Sequence, residues 1–204
     1  MARHNESKLR HVVEALVSAF LLAFQYIPVL GPWMGFMILP LAVYVTGLLW
    51  AYPEYFGAQL NMLLLSERLM FGRIVAATGL VIFLGAFFQF LRRRSKIITG
   101  GLYSVVRHPQ YFGIIVVTLG ISIMSIQYAG TRPEVIFAWL IQVFGYVLLG
   151  SYEEWHLLRD REKEFSEYKQ KASFMLPVPR LAKIPESLST MMVVVVIAFL
   201  LTLL

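Results

Sequence analysis

The chain has no cysteine, so neither a disulfide framework nor a cysteine-ligated metal or cluster is available to it. Its four histidines, His4, His11, His108 and His156, are scattered and none stands at ligand spacing, so no metal centre is expected. Four signatures of soluble chemistry are missing as well: a Gly-x-Gly-x-x-Gly turn after a strand, a Gly-Lys-Ser/Thr phosphate loop, a Gly-x-Ser-x-Gly elbow and a His-x-x-x-His pair. A Rossmann-type cofactor domain, a P-loop enzyme and a zinc hydrolase are thereby excluded. Charge is scarce too. Only 15% of the 204 residues are charged against 58% hydrophobic, with a mean hydropathy of +0.69, which is too apolar for a soluble domain of this size. The balance describes a membrane protein. The net charge of +6 does not call for nucleic acid, because most of the basic residues flank apolar segments, where membrane orientation and anionic lipid account for them.

A bilayer-crossing helix needs roughly 20 apolar residues. Six segments qualify as candidates, 12–26, 33–52, 70–91, 111–128, 135–152 and 190–204, the first and last of them short. The expected fold is therefore all-α, a polytopic bundle of five to six transmembrane spans. The first apolar run holds Glu14 and meets no small-residue cleavage site before Pro28, so it is expected to be retained rather than removed as a signal peptide. Trp33, Tyr52, Tyr55, Tyr128 and Trp155 fall near span ends, where amphipathic rings favour the interface. Small residues at Thr78-Gly79, Gly85-Ala86, Gly113, Gly120 and Ser122 should let the third and fourth helices approach closely.

Basic residues sort to one side. Arg92, Arg93, Arg94, Lys96 and Arg107 lie in the loop 92–110, and Arg159, Arg161, Lys163, Lys169, Lys171, Arg180 and Lys183 lie in 153–187, together twelve of the 18 Lys and Arg. Two spans separate the regions, so both face the same compartment, and the positive-inside rule makes it the cytosol. In 153–168, Trp155, Leu158, Phe165 and Tyr168 recur at helical spacing among alternating charges. That pattern predicts an amphipathic cytosolic helix continuing from the fifth span and ended by Pro177 and Pro179. Three regions result: membrane helices over 1–91, a polar functional region over 92–187, and a C-terminal apolar helix over 188–204.

The polar residues of that middle region converge. Gly100-Gly101 forms a turn, Tyr103 follows, and Arg107-His108 precede Pro109, a residue preorganised for the first turn of a helix. Arg107 and His108 thus sit at a partly positive helix N-terminus, where anions are favoured. At the other end of the same helical hairpin stands Glu153-Glu154, a carboxylate pair at a poorly hydrated boundary, where it needs a cationic partner.

Three stretches, Lys96-Ile97-Ile98-Thr99-Gly100-Gly101-Leu102-Tyr103, Arg107-His108-Pro109-Gln110-Tyr111-Phe112-Gly113, and Glu153-Glu154 followed by Glu167-Tyr168 and Pro177-Val178-Pro179, resemble the isoprenylcysteine carboxyl methyltransferases and their phospholipid methyltransferase relatives. The resemblance implies an integral membrane enzyme that uses S-adenosylmethionine at the cytosolic face. It places Lys96, Ile97, Ile98 and Tyr103 on the cofactor's adenosine side, His108, Pro109, Gln110 and Tyr111 on its methionine end, and Glu153 on its ammonium. Arg107 and Glu153 are the residues expected to carry the reaction, and the acceptor is expected to be a lipophilic molecule from the bilayer. One departure bears on that acceptor. Relatives that methylate a prenylcysteine carboxylate carry an arginine one helical turn before the glutamate pair, and Leu149 stands there in this chain. Two other readings compete with methyl transfer. Sterol reductases have a similar Arg-His-Pro-x-Tyr region, which would make the protein an NADPH-dependent reductase, and a small membrane scaffold would bind neither cofactor.

Overall fold

The computed structural model describes residues 31–53, 65–92, 97–177 and 184–204. The chain divides into two compact units, 1–39 and 40–204, and the second carries every residue of the polar site described below. Six α-helices occur among the described residues: α1 (Gly31–Ala51), α2 (Met70–Arg92), α3 (Pro109–Ala129), α4 (Pro133–Asp160), α5 (Glu162–Lys171) and α6 (Glu186–Leu201). No strand occurs among them, and the fold is an all-α bundle. Three helical stretches are long and apolar enough to cross a membrane: Glu67–Arg92, Pro109–Ala129 and Pro133–Asp160. The apolar stretches Phe36–Ala51 and Glu186–Leu201 are shorter, and the candidate span at 12–26 lies outside the described residues.

Close approach of α2 and α3 forms the main seam of the bundle. Gly72, Gly79 and Ala86 repeat every seven residues along the buried side of α2, while Gly113 and Gly120 do the same on α3. A Cβ at Gly113 would stand 2.6 Å from the backbone nitrogen of Phe83, so the two backbones touch at a distance that only glycine permits. In lipid, where apolar contact with solvent gives helices no reason to associate, this small-residue packing is what holds such a pair together.

Helices α3 and α4 form the hairpin that positions the polar residues. Gly130, with φ of 85°, turns the chain between them, and Tyr52 donates a hydrogen bond to its carbonyl at 2.8 Å. Arg132 covers the Tyr52 ring at 4.6 Å and donates to the carbonyl of Ala51. Tyr52 is fully buried in this clamp, where the sequence suggested an interfacial ring; an aromatic at a helix end can serve either role, and only the neighbouring Arg132 decides. Trp155 is 53% exposed.

At about 1.5 Å per residue the 28-residue α4 is about 42 Å long, more than a hydrocarbon core of about 30 Å, so its last turns emerge from the bilayer. Helix α4 continues into the amphipathic segment as expected, but it stops at Asp160 instead of running unbroken to 168. Arg161, at φ −147° and ψ 54°, breaks the helix, and α5 restarts at Glu162. The break turns Phe165 and Tyr168 into a cluster with Ala172, packed by Ile97, Leu157 and Leu158. A single straight helix would have left Trp155 on that same stripe.

Candidate active site

The polar cluster is assembled where the start of α3 meets the end of α4. Gly101 takes φ of 64° at the turn after α2, and its missing Cβ leaves room for Gln89, whose Oε1 accepts from the Leu102 amide at 3.1 Å. The short 3-10 turn Gly101–Ser104 follows, and Tyr103 buries its ring against Ala86 and Ile98. Beyond it the chain runs extended beside the segment after α5. Val106 bridges Ser173 in parallel, Arg107 N–H donates to Ser173 O at 2.8 Å, and His108 N–H donates to Phe174 O at 3.2 Å. This pairing fixes the backbone from which Arg107 and His108 project. Helix α3 then begins at Pro109, whose missing N–H costs nothing in a first turn.

Arg107 is the hub, with its side chain only 1% exposed. Its Nε donates to Glu154 Oε1 at 2.6 Å and its Nη2 to Glu186 Oε2 at 2.7 Å. Its Nη1 serves the carbonyls of Ala172 at 2.5 Å and Lys169 at 3.3 Å, and the Phe174 ring lies 5.7 Å from Cζ. A guanidinium is suited to this, since its planar fork makes several directed bonds at once. Glu154 is further paired with Lys169 Nζ at 3.0 Å. It is the more buried of the two adjacent acids, because one residue of helix rotation, about 100°, turns it towards Arg107 while Glu153 faces α3.

His108 lies between the two carboxylates. Its Nδ1 is 3.3 Å from Glu153 Oε2, and its Nε2 is 3.4 Å from Glu154 Oε1. The second contact is the longer of the two and pairs the buried Nε2 with Glu154 by charge. Burial pulls the imidazole pKa down, but bonding to Glu153 and Glu154 and their negative charge outweigh it and raise it above the ordinary histidine value. A raised folded-state pKa adds stability that is complete below the unfolded value, near 6.5, and is lost as pH climbs through the folded value. The wild-type thermal midpoint should therefore fall as pH is raised from about 6 to about 9, and His108→Gln should flatten that dependence. Melting curves in detergent across this range check it.

On the other face, Tyr111 donates its hydroxyl to Glu153 Oε1, stacks on Tyr146 with centroids 5.0 Å apart, and lies 5.6 Å from the His108 ring. Gly150 lies at the closest passage of α4, since a Cβ there would stand 3.2 Å from Phe174 and 3.3 Å from His108. Burial first, and the negative charge of Glu153 after it, raise the Tyr103 pKa, so this ring remains a neutral phenol. Beside Arg107, a cleft of about 460 Å³ opens between the end of α4 and the start of α6, lined by Glu154, Trp155, Lys169, Phe174 and Glu186.

The structure thus brings together Tyr103, Arg107, His108, Pro109, Tyr111 and Glu153 from the sequence reading, with Gln110 half-exposed in the first turn of α3. Ile97 and Ile98 diverge, the first packing on Phe165 and Tyr168 and the second on Ala86 and Tyr103. Lys96 lies outside the described residues. The sequence reading missed Lys169, Phe174 and Glu186. The sequence marks Glu186 only faintly, by Pro185 before an acidic first turn and an apolar run.

The described residues define an all-α membrane protein whose central hairpin ends in a buried cluster of arginine, histidine and glutamates. Residues 62–161, just under half of the chain, match the family model of the phospholipid methyltransferases. The matched segment contains the Arg-His-Pro stretch and both glutamates. Neither a curated protein nor a solved structure matches the chain.

Proposed function

We propose that the protein transfers a methyl group from S-adenosylmethionine to the amine head group of a lipid, at the cytosolic end of the α3–α4 hairpin. The observation that carries this reading is the convergence of Arg107, His108, Tyr111, Glu153 and Glu154 inside the segment that matches the family. The residues present fit the cofactor's polar groups. Glu153 is 28% exposed and offers a carboxylate to an ammonium, while the free amides of the α3 N-terminus offer donors to a carboxylate. Tyr103, with Ile98 packed on it, would flank the adenosine, and His108, Pro109, Gln110 and Tyr111 would hold the methionine end.

When bound, S-adenosylmethionine supplies a methyl group on a sulfonium, which an acceptor nucleophile takes by in-line displacement with release of a neutral thioether. Such a displacement asks the protein mainly for alignment and a preorganised polar site. Tyr111 and Tyr146 provide stacked aromatic faces suited to a cation, and Glu153 beside them is the carboxylate able to take the proton that an amine gives up. Arg107 acts by holding Glu154 and the backbone in register, because all three of its nitrogens are already engaged. An anionic acceptor gains nothing from it, and Leu149 adds no charge. Both features support an amine acceptor over a prenylcysteine carboxylate.

Incubating membranes that contain the protein with radiolabelled S-adenosylmethionine tests this reading. Label should enter the lipid fraction, and mild base should release none of it as volatile methanol, because an N-methyl bond survives base where a methyl ester does not. Base-labile label would indicate an ester and a carboxylate acceptor, and no lipid label at all would remove the proposed reaction.

A further inference from the structure

Glu186 is the first residue of α6 and lies 25 positions beyond the end of the segment matching the family at residue 161. It nevertheless reaches the centre of the cluster. Its Oε2 accepts from Arg107 Nη2 at 2.7 Å, its side chain is 21% exposed, and it shares the cleft lining with Arg107, Glu154 and Lys169. A carboxylate in the first turn of a helix is favoured by the helix dipole, so α6 presents this group in a setting that supports its charge. Helix α6 also packs against α4, the helix that carries Glu153 and Glu154.

We infer that Glu186 is a positioning residue of the site: through Arg107 it holds Glu154 against His108, so the C-terminal helix completes a site that the family segment alone leaves open. The contacts form an unbroken chain from Glu186 to Arg107, Glu154, His108, Glu153 and Tyr111. Without Glu186, Arg107 keeps its full positive charge on Glu154 alone, and one face of its fork is left unsatisfied in a buried setting. Two consequences follow. The guanidinium is free to rotate out of its register, which loosens Glu154 and with it the imidazole. The cluster also becomes one charge more positive, which disfavours the protonated form of His108.

The groups that bear on His108 from the packed elements are these: Glu153 and Glu154 on α4, Tyr111 on α3, Tyr103 in the 3-10 turn, Arg107 next to it in the chain, Lys169 and Tyr168 on α5, and Glu186 on α6 through Arg107. Removing the Glu186 charge therefore moves His108 in one direction only, towards losing its proton at lower pH.

This inference rests on the methyltransferase reading, and the test separates the two. Glu186→Gln and Glu186→Asp are prepared in the full chain, and methyl transfer and melting are followed as functions of pH. Glu186→Gln should lower kcat about tenfold with KM for S-adenosylmethionine nearly unchanged, and it should move the pH at which activity and stability decline on the alkaline side to a lower value. Glu186→Asp, which restores the charge, should recover both. If Glu186→Gln merely lowers the melting midpoint uniformly at all pH values, or if aspartate does not rescue, the positioning role is wrong. If the wild type transfers no methyl, the methyltransferase reading falls, while the pH dependence of melting in the two variants still decides whether Glu186 is coupled to His108.

Discussion

Arg107→Met should be the most damaging single substitution in the chain, lowering the thermal midpoint in detergent by roughly 6–20 °C. The replacement keeps an unbranched side chain and removes the charge, leaving two carboxylates, Glu154 and Glu186, without the partner that justifies their burial. Removing one member of a buried pair costs about 3–5 kcal/mol because the surviving charge is stranded, and each kcal/mol corresponds to about 2–4 °C in a protein of this length. Against a total stability of about 5–15 kcal/mol that loss is large. The damage also spreads through the backbone. Nη1 of Arg107 ties down the carbonyls of Ala172 and Lys169, so the chain after α5 loses the contact that registers it beside 106–108. Arg107→Lys should fall between the two, since an ammonium keeps the charge without the fork. A midpoint for Arg107→Met within about 2 °C of wild type would mean that the cluster is not the keystone its geometry indicates.

The second large effect concerns binding rather than stability. Glu153→Gln should weaken S-adenosylhomocysteine about a hundredfold, equivalent to about 2.7 kcal/mol, with only a small change in melting. Glu153 is the more exposed member of the pair and is held by Tyr111 and His108 rather than by Arg107, so its charge is available to a ligand ammonium. Charge-assisted hydrogen bonds of this kind are roughly twice as strong as neutral ones. Glu154→Gln should show the converse pattern, a marked loss of stability with a smaller direct effect on the ligand. Calorimetry on both variants beside their melting curves distinguishes these roles. Equal and slight effects on binding would mean that both acids merely solvate a helix end.

The two glutamates illustrate how far the sequence could be read. Their adjacency at the end of an apolar helix, opposite Arg107-His108-Pro109, was enough to bring the two ends of one hairpin together, because two antiparallel helices joined by a short turn leave no other arrangement. Which glutamate faces which partner depends on the rotation of α4 about its axis. That rotation is set by packing at Gly150 against His108 and Phe174, which are distant in sequence. Glu186 was illegible for the same reason, since its partner lies 79 residues away and nothing local marks the pairing. The break at Arg161 went unseen because 153–168 reads as a continuous helical stripe, and only the burial of Phe165 and Tyr168 against Ile97 requires the change of direction. Gly79, Ala86, Gly113 and Gly120 were legible because small residues in apolar helices mark close packing, whereas Gly72 and the seven-residue spacing emerged only from the structure.

The central claim is that the cluster at the end of the hairpin holds S-adenosylmethionine. Saturation binding of S-adenosylhomocysteine to the purified wild-type protein, with NADPH titrated in parallel, tests it most directly. The account predicts one saturable site for S-adenosylhomocysteine, strongly weakened in Glu153→Gln, and no saturable binding of NADPH. Saturable binding of NADPH with none of S-adenosylhomocysteine would contradict it.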